Sequence, residues 1–368
     1  MTRVGIFFIA VALIVGILSY VARHPIEIRD WYDLNAINHD LSSNYTLMND
    51  LDSNTLGYDE LAGPTANQGM GWEPVGTDDS PFNGTFDGQE YEIRELFINR
   101  PNEDFVGLFA SISTGFIQDL GLVSATLIGN NCVGSLTGHN YHGTVNNLRV
   151  IQSITGGKQV GALIGCNENG NLSNCCATGN ITGTEQIGGL VGQNWDGIVS
   201  NSYATGNVGG DWSVGGLVGW NHGTVSASYA KASVSGQSTI GGLVGVSDGT
   251  VNDSYAKGSV SGNSDVGGLI GFNWGSVGKC YSIGSVTGSY GVGGLVGSNQ
   301  GTVSFSFWDT GTSGQSTSDG GTGKNTTAMQ DVATFSGAGW NITAVALNQT
   351  NPAYIWNIVD SVTYPFLS

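Results

Sequence analysis

The chain has 368 residues, with 11 basic against 29 acidic side chains, a net charge of −18, and only 11% of its residues charged. A surface this acidic excludes nucleic acid as an expected partner, since a polyanion is repelled on approach. No His-Glu-X-X-His sequence occurs, which excludes a zinc peptidase of that type from this stretch.

The first element in chain order is Val4 to Ala22, 19 uncharged and mostly apolar residues, about the length a helix needs to cross a bilayer. Arg3 and the free amine precede it, which favours a cytoplasmic amino terminus and an exported remainder. The small residues that a signal-peptide cut requires are badly placed around Tyr20-Val21-Ala22, so residues 1–22 are expected to stay as a membrane anchor, with residues 4–22 in the bilayer. A chain cut there would instead be secreted.

Residues 23–104 are expected to form an amino-terminal cap and the first coils of a repeat structure. Trp31, Leu34 and Ile37 fall on one side of a short helix, as a plug over the first coil requires. Asp50, Asp52, Asp87, Glu90 and Glu92 lie in these first coils, where a capping role and a cation-binding role both fit.

From residue 105 to 310 the chain repeats itself. An aliphatic residue followed by one or two small residues and an apolar pair begins at Val106, Val133, Val160, Ile187, Val214, Ile240, Val266 and Val292, a spacing of 26 or 27. A second phrase, typified by Val199-Ser200-Asn201-Ser202-Tyr203-Ala204, always lies 15 residues before the next copy of the first. The return is 12 residues through turns such as Asn194-Trp195-Asp196-Gly197 and 11 through Asn221-His222-Gly223. A polar turn absorbs an extra residue, whereas one in a strand would flip every later side chain, so the phrases are strands and the Asn-to-Gly stretches loops.

Several glycines and β-branched residues per unit, with no 3.6-residue periodicity, remove helical repeats. The leucine ladder of leucine-rich repeats is missing, and propeller blades need roughly 40 residues or more. The expected fold is all-β: a parallel β-helix, or β-solenoid, of right-handed coils of 26–27 residues. Equivalent residues then become columns about 4.8 Å apart. The column through Leu217 (Phe109, Leu136, Leu163, Leu190, Leu243, Leu269, Leu295) faces the core, as do those through Ala204 and Ser202. Between the last two, Tyr203, Tyr229, Tyr255 and Tyr281 should point outward as an aromatic ladder. Residues 311–368, Gly- and Ser-rich and then bearing Trp340, Trp356 and Tyr364-Pro365, are expected to cap the far end.

The Gly-Leu-aliphatic-Gly phrase with its Ser-Tyr-Ala partner resembles the GLUG motif of microbial cell-surface proteins, including regions beside some immunoglobulin-A metallopeptidase domains. The segments Tyr45 to Asp52 and Phe82 to Gly88 and the ending Tyr364-Pro365-Phe366-Leu367 resemble the usual flanks. The resemblance implies a surface repeat and supplies no catalytic residues.

Of the five cysteines, Cys175 and Cys280 share a column four coils apart and read as small buried side chains; a vicinal Cys175-Cys176 bridge would be strained, and no metal-ligand pattern is present. His139 and His142 have no evident acidic partner and read as turn residues. Asp196, Asp211, Asp248, Asp253 and Asp265 occupy different columns, so no two carboxylates are expected to face one glycosidic bond. No catalytic residue, metal or cofactor is expected. The candidate ligand surfaces are the ladder Tyr203, Tyr229, Tyr255 and Tyr281, and the loop aromatics Trp195, Trp212, Trp220 and Trp274, which suit a glycan or a protein at the cell surface. Candidate glycosylation sequons are Asn44, Asn83, Asn171, Asn180, Asn252, Asn325, Asn341 and Asn348. The expected role is an adhesin without chemistry of its own; a polysaccharide-acting enzyme and a structural stalk are the alternatives.

Overall fold

The computed structural model describes residues 25–368, so the apolar stretch 4–22 expected to be an anchor lies outside the described residues. Among those described, no helix is long and apolar enough to cross a membrane.

Each repeat forms one coil of a parallel β-solenoid. Its strands stack into an eight-stranded sheet from Phe109–Ser113 to Val296–Asn299, a seven-stranded sheet from Asn131–Val133 to Tyr290–Gly293, and a broad third sheet that also takes in the amino-terminal strands. The aliphatic residues that open the repeat, from Val106 to Val292, are direct partners from coil to coil. The Ala204 column is also in register from Leu122 to Trp308. A single coil has no interior, so each gains its core only from its neighbours.

One column assignment needs correction at its first member. Phe109 pairs with Thr137, while Val106 pairs with Val133, so the first coil has one residue fewer between these points. Val106-Gly107-Leu108 lacks the second small residue of Val133-Gly134-Ser135-Leu136, and Leu108 therefore heads the leucine column. Both Leu108 and Phe109 are fully buried, which is why hydrophobicity alone did not separate them.

Corners fix the coil shape. The residue before each opening aliphatic has positive φ in all eight coils: Phe105, Cys132, Gln159, Gln186, Ser213, Thr239, Asp265 and Gly291. A second left-handed corner runs through Asn147, Asn174, Asn201, Ala227, Asp253, Lys279 and Phe305. In the longer returns the extra residue is itself left-handed, at His142, Asn169 and Asp196, residue types that tolerate this conformation. The last glycine of the repeat has a different duty. A Cβ on Gly219 would sit 2.5 Å from the backbone carbon of Gln186 in the preceding coil, so only glycine lets the eight-stranded sheet leave the corner.

The ends are covered as expected at one side and differently at the other. Asp30 caps the helix Trp31–Asn35 by accepting from the Asp33 amide, and Trp31, Leu34 and Ile37 plug the first coil with no exposed surface. At the far end, Trp308 and residues 315–321 close the core; the Ser318 hydroxyl accepts from the Leu295 and Val296 amides. The remaining tail, with two short helices and a small three-stranded sheet, does not cap the end. It folds along the side of the broad sheet, where Met329, Phe335, Trp340, Trp356 and Ile358 form a second core over Tyr255, Tyr281 and Phe307.

Candidate functional site: an aromatic edge with paired histidines

The tyrosine ladder exists as a geometric object. Tyr203, Tyr229, Tyr255 and Tyr281 stack with ring centroids 4.8, 4.8 and 5.0 Å apart and nearly parallel planes. It is not the open four-ring strip expected. Tyr255 and Tyr281 are 3% and 0% exposed beneath the tail, and only Tyr203 and Tyr229 remain half-buried on the surface. The Tyr281 hydroxyl donates to the Pro365 carbonyl at 2.5 Å, and Trp356 Nε1 donates to Asp253. Burial raises the Tyr281 phenol well above its ordinary range and lowers the Lys257 ammonium, which lies over the Tyr255 ring, to about 8. The ladder's buried half is a docking seam for the tail.

The loop tryptophans divide. Trp212 lies on the seven-stranded sheet, between Glu185 and Ser238 in its column, and is 57% exposed. Trp195, Trp220 and Trp274 lie along the edge of the eight-stranded sheet, in three different coils. This edge is organised by a buried amide ladder one position earlier: Asn140 donates to Asn167, Asn167 to Asn194, and Asn194 to Asn221, at 2.7 to 2.8 Å. The following residues, Tyr141, Glu168, Trp195, His222, Asp248, Trp274 and Gln300, are thereby turned out to solvent.

Along that column Trp195 stacks on His222 at 4.3 Å and 19°. His222 Nδ1 lies 2.8 Å from Asp248 and Nε2 3.7 Å from Asp196, while Trp220 Nε1 donates to the other Asp248 oxygen at 3.1 Å. Phe272 packs on Trp274 at 4.2 Å. Towards the amino terminus the motif recurs: His139 Nδ1 is 2.8 Å from Asp78 and Nε2 3.5 Å from Glu168, with Phe105 stacked on its ring. Both histidines thus sit between two carboxylates, correcting the expectation that His139 is an unpartnered turn residue; Asp196 and Asp248, expected in different columns, reach His222 from the coils on either side. The signal was present, since the column after the asparagine ladder places Trp195, His222, Asp248 and Trp274 in sequence.

Cys132 and Cys166 form a disulfide between successive coils, with Cα atoms 5.4 Å apart. No pairing of these two was expected; the 34-residue separation hides the contact because it combines one coil with the step from the seven-stranded to the eight-stranded sheet. Cys175, Cys176 and Cys280 are free, and burial pushes the Cys175 thiol up to about 12. Two of the acidic side chains in the first coils are held by arginines: Arg94 lies 2.6 Å from Glu92 and 3.5 Å from Asp50, and Arg149 also contacts Glu92. Among the described residues no group of three or more His, Cys, Asp or Glu side chains, the two histidine–carboxylate sets included, is arranged to hold a metal ion. Seven sequon asparagines are exposed; Asn252 is half-buried with an unpartnered Oδ1.

Comparison with known proteins agrees with the repeat. The GLUG motif matches residues 156–182 and 183–209. A 139-residue stretch, 36% of the chain, is 35% identical to halomucin of Haloquadratum walsbyi and covers 2% of that protein. Another of 86 residues, 22% of the chain, is 37% identical to 10% of a provisionally named Gly-rich membrane protein of Evansella cellulosilytica. The chain therefore spans only a small part of the length of these curated relatives. Among solved structures, a provisionally assigned immunoglobulin A1 protease of Bacteroides ovatus superimposes with a TM-score of 0.50 at 18% identity, covering 94% of this chain and 92% of that one. That likeness is one of fold.

Proposed function

We propose that this GLUG-repeat solenoid is a non-catalytic module of the cell surface that binds glycan along the edge of its eight-stranded sheet. The observation that carries the reading is that Trp195 and Trp220 pack against the hydrogen-bonding set of His222, Asp248 and Asp196, with Trp274 following Asp248 in the same column. Trp195 and Trp274 are 41% and 50% exposed, so each offers indole surface to a ligand beyond what His222 and Phe272 cover. A sugar ring offers an apolar face to such indoles and hydroxyls to the neighbouring carboxylates and imidazole. Coils repeat at about 4.8 Å, so the aromatic groups lie along a line suited to an extended chain rather than a single compact molecule.

Exposure of the edge at the cell surface is supported by the apolar segment 4–22, by the names of the two relatives, and by the disulfide, a bond favoured in oxidising compartments. The two histidine–carboxylate sets do not make a glycosidase pair in this reading: each carboxylate is directed at a histidine rather than across a shared bond. The test is a glycan array probed with the full chain and with a Trp195→Ala, Trp220→Ala, Trp274→Ala triple variant. Binding by the parent and at least tenfold weaker binding by the variant, with Tyr203→Ala unchanged, is the expected outcome. Equal binding by parent and triple variant, or none by either, defeats it.

A further inference from the structure

The eight-stranded edge is not uniform, and its amino-terminal end is concave. A cavity of about 280 Å³ is lined by residues of four successive coils, from Phe105 through His139 and Glu168 to Gln193 and Trp195. The Cys132–Cys166 disulfide also lines it and ties two of those coils together. Phe105 and Trp195 supply aromatic surface within one site. Asp78 and Glu168 line the adjoining depression, with His139 common to both hollows. Arg100, near the other side, is already bound to Glu103 and the Trp72 carbonyl and offers no counter-charge to these carboxylates.

Aromatic faces together with carboxylates are the chemistry that recognises an organic cation: the ring faces attract the charge and the carboxylates accept its N–H groups. Resting on the glycan reading above, we infer that this cavity is the anchoring subsite of the edge and takes an amine-bearing sugar unit, a protonated 2-amino-2-deoxyhexose, with its ring against Trp195 and its ammonium on Glu168. Neutral sugars can occupy the rest of the edge, but they bring no positive charge to Glu168, the one carboxylate that lines the cavity.

The experiment is calorimetric titration of the full chain, at a pH where the amine is protonated, with a glucosamine tetramer, the corresponding N-acetylglucosamine tetramer, and an oligolysine peptide. The glucosamine tetramer is expected to bind at least tenfold more tightly than its N-acetylated form. Glu168→Gln should remove that preference while leaving the weaker binding in place and the melting curve unchanged. Equal affinity of the two tetramers overturns the cation subsite and leaves the glycan reading standing. Binding of oligolysine with neither tetramer, or silence in all three arms, overturns the amino-sugar subsite, while the glycan reading is decided by the array. Should Glu168→Gln unfold the chain, titration of the parent at rising salt replaces it: a loss of the tetramer preference there supports the charged subsite and its full retention contradicts it.

Discussion

Lys257 shows what a single side chain costs when the tail closes over the tyrosine column. Its ammonium is depressed from an ordinary 10.5 to about 8, mainly by burial and then by the nearby Lys231 charge. A base whose folded value lies below its unfolded value is protonated more readily in the unfolded chain. Between about pH 8 and 10.5 the unfolded state therefore binds the extra proton, and stability climbs as pH rises through that window. Tyr255 and Tyr281 act in the opposite sense, because burial raises their phenols above 10.0 and stability falls once unfolded tyrosines ionise. Chemical denaturation followed from pH 7 to 10 should thus show a rise in the parent that is absent in Lys257→Met. At pH 7 the variant should be more stable by about 1 kcal/mol, since the cation–π contact with Tyr255 offsets part of the burial cost. No rise in the parent would mean that Lys257 is solvated and the tail less closely applied.

In most coils, an asparagine two residues after the last glycine of the repeat decides how the edge is built. Asn140, Asn167, Asn194 and Asn221 pass a hydrogen bond from coil to coil, and the next position is Ser247, whose hydroxyl accepts from Asn221 at 3.3 Å. Serine has no amide to pass on, and Asn273 Oδ1 is left buried without a partner. Ser247→Asn should complete the ladder and raise unfolding free energy by about 1–2 kcal/mol, measured by denaturant titration. An unchanged or lower value would show that the amide column does not carry coil-to-coil energy. The alternation Ser202, Tyr203, Ala204 and the 26- or 27-residue period made the columns legible in the sequence, and the paired strands follow them from Val106 to Val303. Two things were hidden. The shortened Val106-Gly107-Leu108 corner looks as apolar as its neighbours, so the shift from Phe109 to Leu108 has no hydrophobic signature. His139 and His222 find their carboxylates in other coils or in the amino-terminal segment, contacts that appear only once the edge column is read vertically.

For the whole molecule, one covalent staple and one lateral clamp reinforce a structure otherwise held by nearest-neighbour packing. The disulfide closes a 34-residue separation, for which chain entropy gives about 3–4 kcal/mol. Reduction, or a Cys132→Ser, Cys166→Ser double variant, should lower stability by about that amount and loosen the Phe105–Trp195 cavity; no change in denaturation midpoint would show that the bond does not constrain the coils. The tail was legible as a cover through its tryptophans, but not as a lateral one. Its destination depends on Trp340 and Trp356 finding the Tyr255 and Tyr281 rings, which no local pattern encodes.

The most direct test of the glycan edge is the set of indole N–H resonances in a nuclear magnetic resonance titration with the strongest array ligand. The signals of Trp195, Trp220 and Trp274 should shift together, while those of the buried Trp31, Trp72 and Trp356 stay in place. Shifts confined to Trp212, or absent from all three edge tryptophans at saturating ligand, would contradict the account.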